Sequence, residues 1–98
     1  MTRQELFDKY DVDEGHAEWN PTIDRWMSVE VYRVMHNGEL PESGDKATNW
    51  ITDFLERIHN DLPFMQEVMQ REDWGSLYLT SKRMVYRFAD QIIETNSP

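Results

Sequence analysis

The chain reads as all-α: a compact antiparallel bundle of four to five helices. Three observations predict this. Apolar residues recur at three- and four-residue steps through most of the sequence. Helix start and stop signals bracket those stretches. Four Trp, four Tyr and four Phe carry enough apolar area to build a core without disulfide or metal staples. The predicted helices cover residues 2–10, 21–36, 45–60, 62–72 and 76–94.

Thr2-x-x-Glu5 has the spacing of a capping box and starts the first helix, with Leu6, Phe7 and Tyr10 on one side. Residues 11–20 contain Gly15 and lack helical periodicity, so they read as a loop. Asn20-Pro21 pairs a capping side chain with a proline suited to the first helical turn. Ile23, Trp26, Met27, Val31, Val34 and Met35 then form one amphipathic face, and Asn37-Gly38 stops the helix. A rival α+β reading exists at this point. Val29 to Val34 is rich in β-branched side chains, and Asn-Gly also serves hairpin turns, which would place a hairpin near 28–40. No alternating second strand follows, which favours the helix.

Ala47, Trp50, Ile51, Phe54, Leu55 and Ile58 mark the cleanest helical face. Pro63 interrupts it, because a mid-helix proline loses a hydrogen bond and clashes with the preceding turn. Asn60 or Asp61 is placed to cap a short helix carrying Met65, Val68 and Met69; one kinked helix is the alternative. Leu77, Met84, Val85, Phe88, Ala89 and Ile92 give the last helix its face. Within it, Ser76 to Arg83 resembles a strand pair of the GRAM family of membrane-associated β domains, but nothing else in the chain fits a β domain. The 98 residues are expected to form one helical domain, with 95–98 as a frayed tail.

Nineteen acidic against ten basic residues give a formal charge of −9. Eight of the acids and three of the bases lie in the first 30 residues, so the negative field is weighted there. Nucleic-acid binders rely on a basic patch. The nearest approach to one is Lys82, Arg83 and Arg87, so direct nucleic-acid binding is not expected. The absence of cysteine removes disulfides, thiolate metal sites and thiol catalysis. No run reaches the roughly 20 apolar residues of a membrane span, and Met1 to Glu5 does not open a signal peptide. A cytoplasmic protein without membrane attachment is the expectation.

Three patterns invite a chemical reading. The stretch from Leu6 to Gly15 resembles the start of an EF-hand calcium loop, whose twelve residues supply oxygens at fixed positions. The register fails. With Asp11 as first ligand, His16 replaces the turn glycine and Thr22 the closing glutamate; with Gly15 as the turn, Tyr10 and Pro21 take the ligand positions. Weak calcium binding by Asp11, Asp13, Glu14 and Glu18 is what remains. Glu56-x-x-His59 matches half of a di-iron motif, in one copy and off the apolar face. No glycine-flanked serine or phosphate loop is present. No cofactor and no catalysis are expected.

The third pattern is a second apolar stripe on the last predicted helix. Leu79, Tyr86 and Ile93 are seven apart and align within about 40°. Lys82 and Asp90 flank them. A helix apolar on two sides is either central in a fold or open to a partner. The leading expectation is a protein that binds another, possibly basic, protein as adaptor, assembly factor or inhibitor, through Leu79, Tyr86, Ile93 and Lys82. A homodimer seam is a second use of the same stripe. A calcium-responsive protein and an enzyme with a dispersed site are the alternatives.

Overall fold

The chain folds around two helices that carry most of the buried side chains among the described residues, and the remaining helices pack against them. The structure is a computed structural model; it describes residues 1–16 and 21–96, and of residues 21–26 the backbone only. The elements are α1 (Arg3–Tyr10), a single 3₁₀ turn (Glu14–His16), α2 (Pro21–Met35), α3 (Gly44–Asn60), α4 (Leu62–Met69), α5 (Trp74–Arg87) and α6 (Ala89–Asn96). No strand occurs among the described residues. The all-α prediction holds, with six helices in place of four or five.

α1 begins on the capping box. The Thr2 hydroxyl accepts from the Glu5 N–H, and the Glu5 carboxylate accepts from the Thr2 N–H, each at 3.1 Å. Asp11 ends the helix in the left-handed region at φ 54°. α2 ends on the signal that the hairpin alternative would have used. Asn37 and Gly38 have φ of 55° and 91°, and the Gly38 N–H donates to the Arg33 carbonyl at 2.9 Å. That is the six-to-one bond of a Schellman cap. The hairpin near 28–40 is therefore replaced by a helix and its C-cap. Asn20, Trp19 and Glu18 lie outside the described residues, as do the side chains of Ile23 and Trp26, so the expected start and first turn of the α2 core face are not placed.

α3 is capped by Ser43, whose hydroxyl accepts from the Lys46 N–H at 3.2 Å. It buries Ala47, Thr48, Ile51, Thr52, Phe54, Leu55 and Ile58. Each large apolar member contributes roughly 1.5–3 kcal/mol relative to exposure. Pro63 does separate two helices. Asp61 terminates α3 through its N–H to the Arg57 carbonyl and starts α4 by accepting from the Phe64 N–H at 3.1 Å. α4 stops at Met69, short of the predicted 72. Arg71 then grips the Asp73 carboxylate with two bonds of 2.8 and 3.0 Å in the turn that follows. Asp73 precedes α5 without capping it by its side chain, and the helix starts at Trp74, two residues early.

The predicted helix 76–94 is two helices. Phe88 leaves helical geometry at φ −111° and ψ 28°, between α5 and α6. Neither proline nor glycine marks this bend. The hydrogen-bond chain still crosses it, with Phe88 N–H to Met84 at 2.9 Å and Ile92 N–H to Phe88 at 3.0 Å. The bend lets α6 lie on α1 and α3 while α5 stays against α2. Tertiary packing thus overrides a continuous local pattern. α6 extends to Asn96, where a tail from residue 95 was expected; residues 97 and 98 lie outside the described residues.

α5 touches all of the other helices and the 3₁₀ turn. Its buried Leu77, Met84 and Val85 join Leu6, Tyr10, Val31, Ile51, Phe54, Leu55, Ile58, Val68 and Ile92 in one core. Hydroxyls inside it bond back to their own helices. Ser81 donates to the Leu77 carbonyl at 2.8 Å and Thr48 to the Gly44 carbonyl at 3.0 Å. The radius of gyration is 12.7 Å, against about 13 Å for a compact domain of this size.

Candidate functional site

The second stripe is divided between two helices, with Leu79, Lys82 and Tyr86 on α5 and Ile93 on α6. Leu79 is 41% exposed. Tyr86 is half-buried and stacks on Phe7, centroids 5.3 Å apart and planes 12° apart. Ile93 belongs to α6 and packs against the core. Lys82 is only 9% exposed. Its ammonium donates to the Asp11 carbonyl at 3.1 Å, lies 3.7 Å from the Asp11 carboxylate and sits 4.7 Å from the Tyr78 ring centre. The four residues thus differ in exposure, and Lys82 is buried against Asp11 and Tyr78. The two-sided apolarity of α5 matches its place at the centre of the fold.

The Asp11 and Asp13 carboxylates of the acidic loop are exposed and make contacts within the chain. The Asp13 carboxylate accepts from the Gly15 N–H at 2.8 Å and lies 3.3 Å from His16 Nδ1. Asp11 sits beside the Lys82 ammonium, a fixed positive charge where a calcium ion would need anionic oxygens. Glu14 is exposed on the 3₁₀ turn, and Glu18 lies outside the described residues. Among the described residues, no three His, Asp or Glu side chains are grouped to hold a metal ion. Glu56 pairs with Lys9 and accepts from Asn60 at 2.9 Å, while His59 faces the rings of Tyr10 and Tyr78. The Glu-x-x-His spacing is therefore spent on surface contacts.

Two clefts open on the surface of α3. One, of about 210 Å³, lies between α1, α3 and α6. The Lys9–Glu56 pair and Asp53 line it together with Leu6, Tyr10 and Ile92. Burial pushes the Tyr10 phenol above its ordinary value, and the Glu56 charge adds to this. Hydrogen bonding to Glu56 raises the Lys9 ammonium.

The other cleft, of about 230 Å³, lies between the end of α2, the middle of α3 and the start of α4. Met35, His36, Trp50, Asp53, Phe54, Arg57 and Phe64 line it. Local sequence explains how these side chains converge. Tyr32 and His36 are four apart, as are Trp50 and Phe54, so each pair sits on one helix face. His36 lies just past the end of α2 with Nδ1 2.7 Å from the Tyr32 carbonyl, one of the carbonyls a helix end leaves over. Its ring stacks on Tyr32 at 3.7 Å, and Trp50 meets both rings edge-on at 5.4 and 4.7 Å. Trp50 in turn stacks on Phe54 at 5.3 Å, and Phe64 meets Phe54 edge-on at 6.2 Å. The Arg57 guanidinium covers Phe64 at 3.8 Å and lies 3.8 Å from the Asp61 carboxylate.

Trp50 and Phe54 belong to the core face predicted over 45–60, whereas Tyr32, His36, Arg57 and Phe64 fall outside every predicted face. A signal was present. An aromatic or histidine recurs at four-residue spacing on both α2 and α3, but only the packing of the two helices shows that the pairs meet. No protein family, curated protein or solved structure matches this chain.

Proposed function

We propose that this chain acts by binding another protein, without chemistry of its own, and that the α2–α3–α4 cleft is where it does so. One observation carries the reading. His36, Trp50, Phe54, Phe64, Met35 and Arg57 converge around a single half-buried concavity. Tryptophan, tyrosine and arginine in a rigid pocket are the anchors that dominate protein interfaces, and aromatics, methionine and arginine are enriched there. The rings here are held by mutual stacking, so little side-chain freedom remains to be lost on association. The net charge of −9 favours a basic partner and speeds its approach. At about 230 Å³, the cleft is smaller than the roughly 300–1,000 Å³ of small-molecule sites. It suits one or two side chains of a larger surface.

Co-purification of the tagged chain from its native host, after cross-linking, tests the reading. A partner should be recovered with the wild-type chain and lost with His36→Ala/Arg57→Ala, while the far-UV spectrum stays helical. Recovery of the same partner by both forms would remove the cleft from consideration. A strictly monomeric chain with no partner would remove the binding role itself.

A further inference from the structure

We infer that the cleft receives one cationic side chain, a lysine or arginine, from a basic segment of the partner; this rests on the protein-binding reading of the same cleft. Four of the seven lining residues are rings, Trp50, His36, Phe64 and the buried Phe54, beside Met35, Asp53 and Arg57. Ring faces attract cations through their quadrupole, and the attraction grows as water is excluded. The site already shows that chemistry within the chain, since the Arg57 guanidinium lies over Phe64 at 3.8 Å.

The rim supplies a counter-charge. Asp53 borders the cleft, is exposed, and takes part in no ion pair among the described residues. Its neighbours on α3 and beyond are committed: Glu56 to Lys9, and Asp61 to Arg57. Seven basic side chains of the described residues are paired to acids in this way. The surplus charge of the chain is thus left on carboxylates, and Asp53 is one that borders an aromatic cleft. Aromatic walls, one available carboxylate and space for one or two side chains together favour a cation over an apolar or anionic anchor.

The test is a low-salt titration of the ¹⁵N-labelled full chain with three octapeptides. They differ only in carrying arginine, lysine or citrulline, the uncharged isostere of arginine, at one central position. The indole N–H of Trp50, identified by its loss in Trp50→Phe, should shift saturably with the arginine and lysine peptides. The citrulline peptide should bind at least fivefold more weakly. Asp53→Asn should abolish that preference, and Glu67→Gln, outside the cleft, should leave it intact. Equal response to citrulline, an unaffected preference in Asp53→Asn, or shifts spread over the surface with Trp50 silent would overturn the inference. If the peptides fail while the native partner is still lost in His36→Ala/Arg57→Ala, protein binding stands and the cationic anchor falls. If the peptides bind and no partner is ever recovered, the cationic site stands and its assignment to a protein partner falls.

Discussion

Tyr86 and Leu79 look equivalent in the sequence and are opposites in the structure. Tyr86 is stacked on Phe7 and ties α5 to α1, whereas Leu79 faces solvent. Tyr86→Asp should therefore cost about 2 kcal/mol or more, because it removes a buried ring contact and places a charge against apolar surface. Leu79→Asp should stay within about 0.5 kcal/mol, as surface changes do. Urea melts of the two variants measure this, and equal losses would restore the idea of a single stripe. Gly38 presents a second case of one atom deciding the outcome. Space around it is open, but φ is +91°. Gly38→Ala should cost about 1 kcal/mol through backbone strain alone, visible as a lower melting temperature with unchanged helical content.

At the scale of elements, the helix ends set by local chemistry were legible, and the division of the last predicted helix was not. The capping box at Thr2 and Glu5, the Asn37-Gly38 stop and the break at Pro63 all rest on local chemistry, so neighbouring residues suffice to read them. The bend at Phe88 rests on where α1 and α3 lie, which no local pattern carries. The cleft was illegible for the same reason. Each of its helices contributes an ordinary amphipathic face, and only their crossing brings Trp50 against Tyr32 and His36. Asp61 serves two elements at once, since it closes α3 and opens α4. Asp61→Ala should cost about 1 kcal/mol for the lost N-cap, and it frees Arg57 from its ion pair. Circular dichroism melts check the stability, and the cleft's partner affinity should fall with it, because Phe64 is the residue the cap holds.

For the whole molecule, pH acts from both ends. Hydrogen bonds from Thr2 hold the Glu5 carboxyl below its ordinary value; Arg33, Lys46 and Arg71 do the same for Glu30, Glu42 and Asp73. A depressed folded-state value means stability that is present above the unfolded value and lost as pH falls through the folded one. These groups are nearly all solvent-exposed, so each effect is small and salt-sensitive. The sign reverses on the alkaline side. Lys9 is raised by Glu56, and its contribution disappears as pH climbs through the folded value. Tyr10, raised by burial, resists ionisation in the folded state, so stability falls once pH passes its ordinary value near 10. Melting temperature should decline at both extremes. Tyrosinate absorbance should show one of the four tyrosines ionising last, together with loss of helix; Tyr10→Phe should remove that final step.

The position of α5 has a bearing on how the chain reaches this state. α5 contacts all of the other helices, yet it follows four of them along the chain. During synthesis α1 to α4 leave the ribosome before the element that touches them all, and the parts of their apolar faces that α5 covers stay open until residues 74–87 emerge. Folding should then complete in one step, with no stable half-built form. Nascent chains stalled before α5 clears the exit tunnel should be digested readily by protease, and those stalled just beyond it should resist. A resistant fragment lacking α5 would contradict this order.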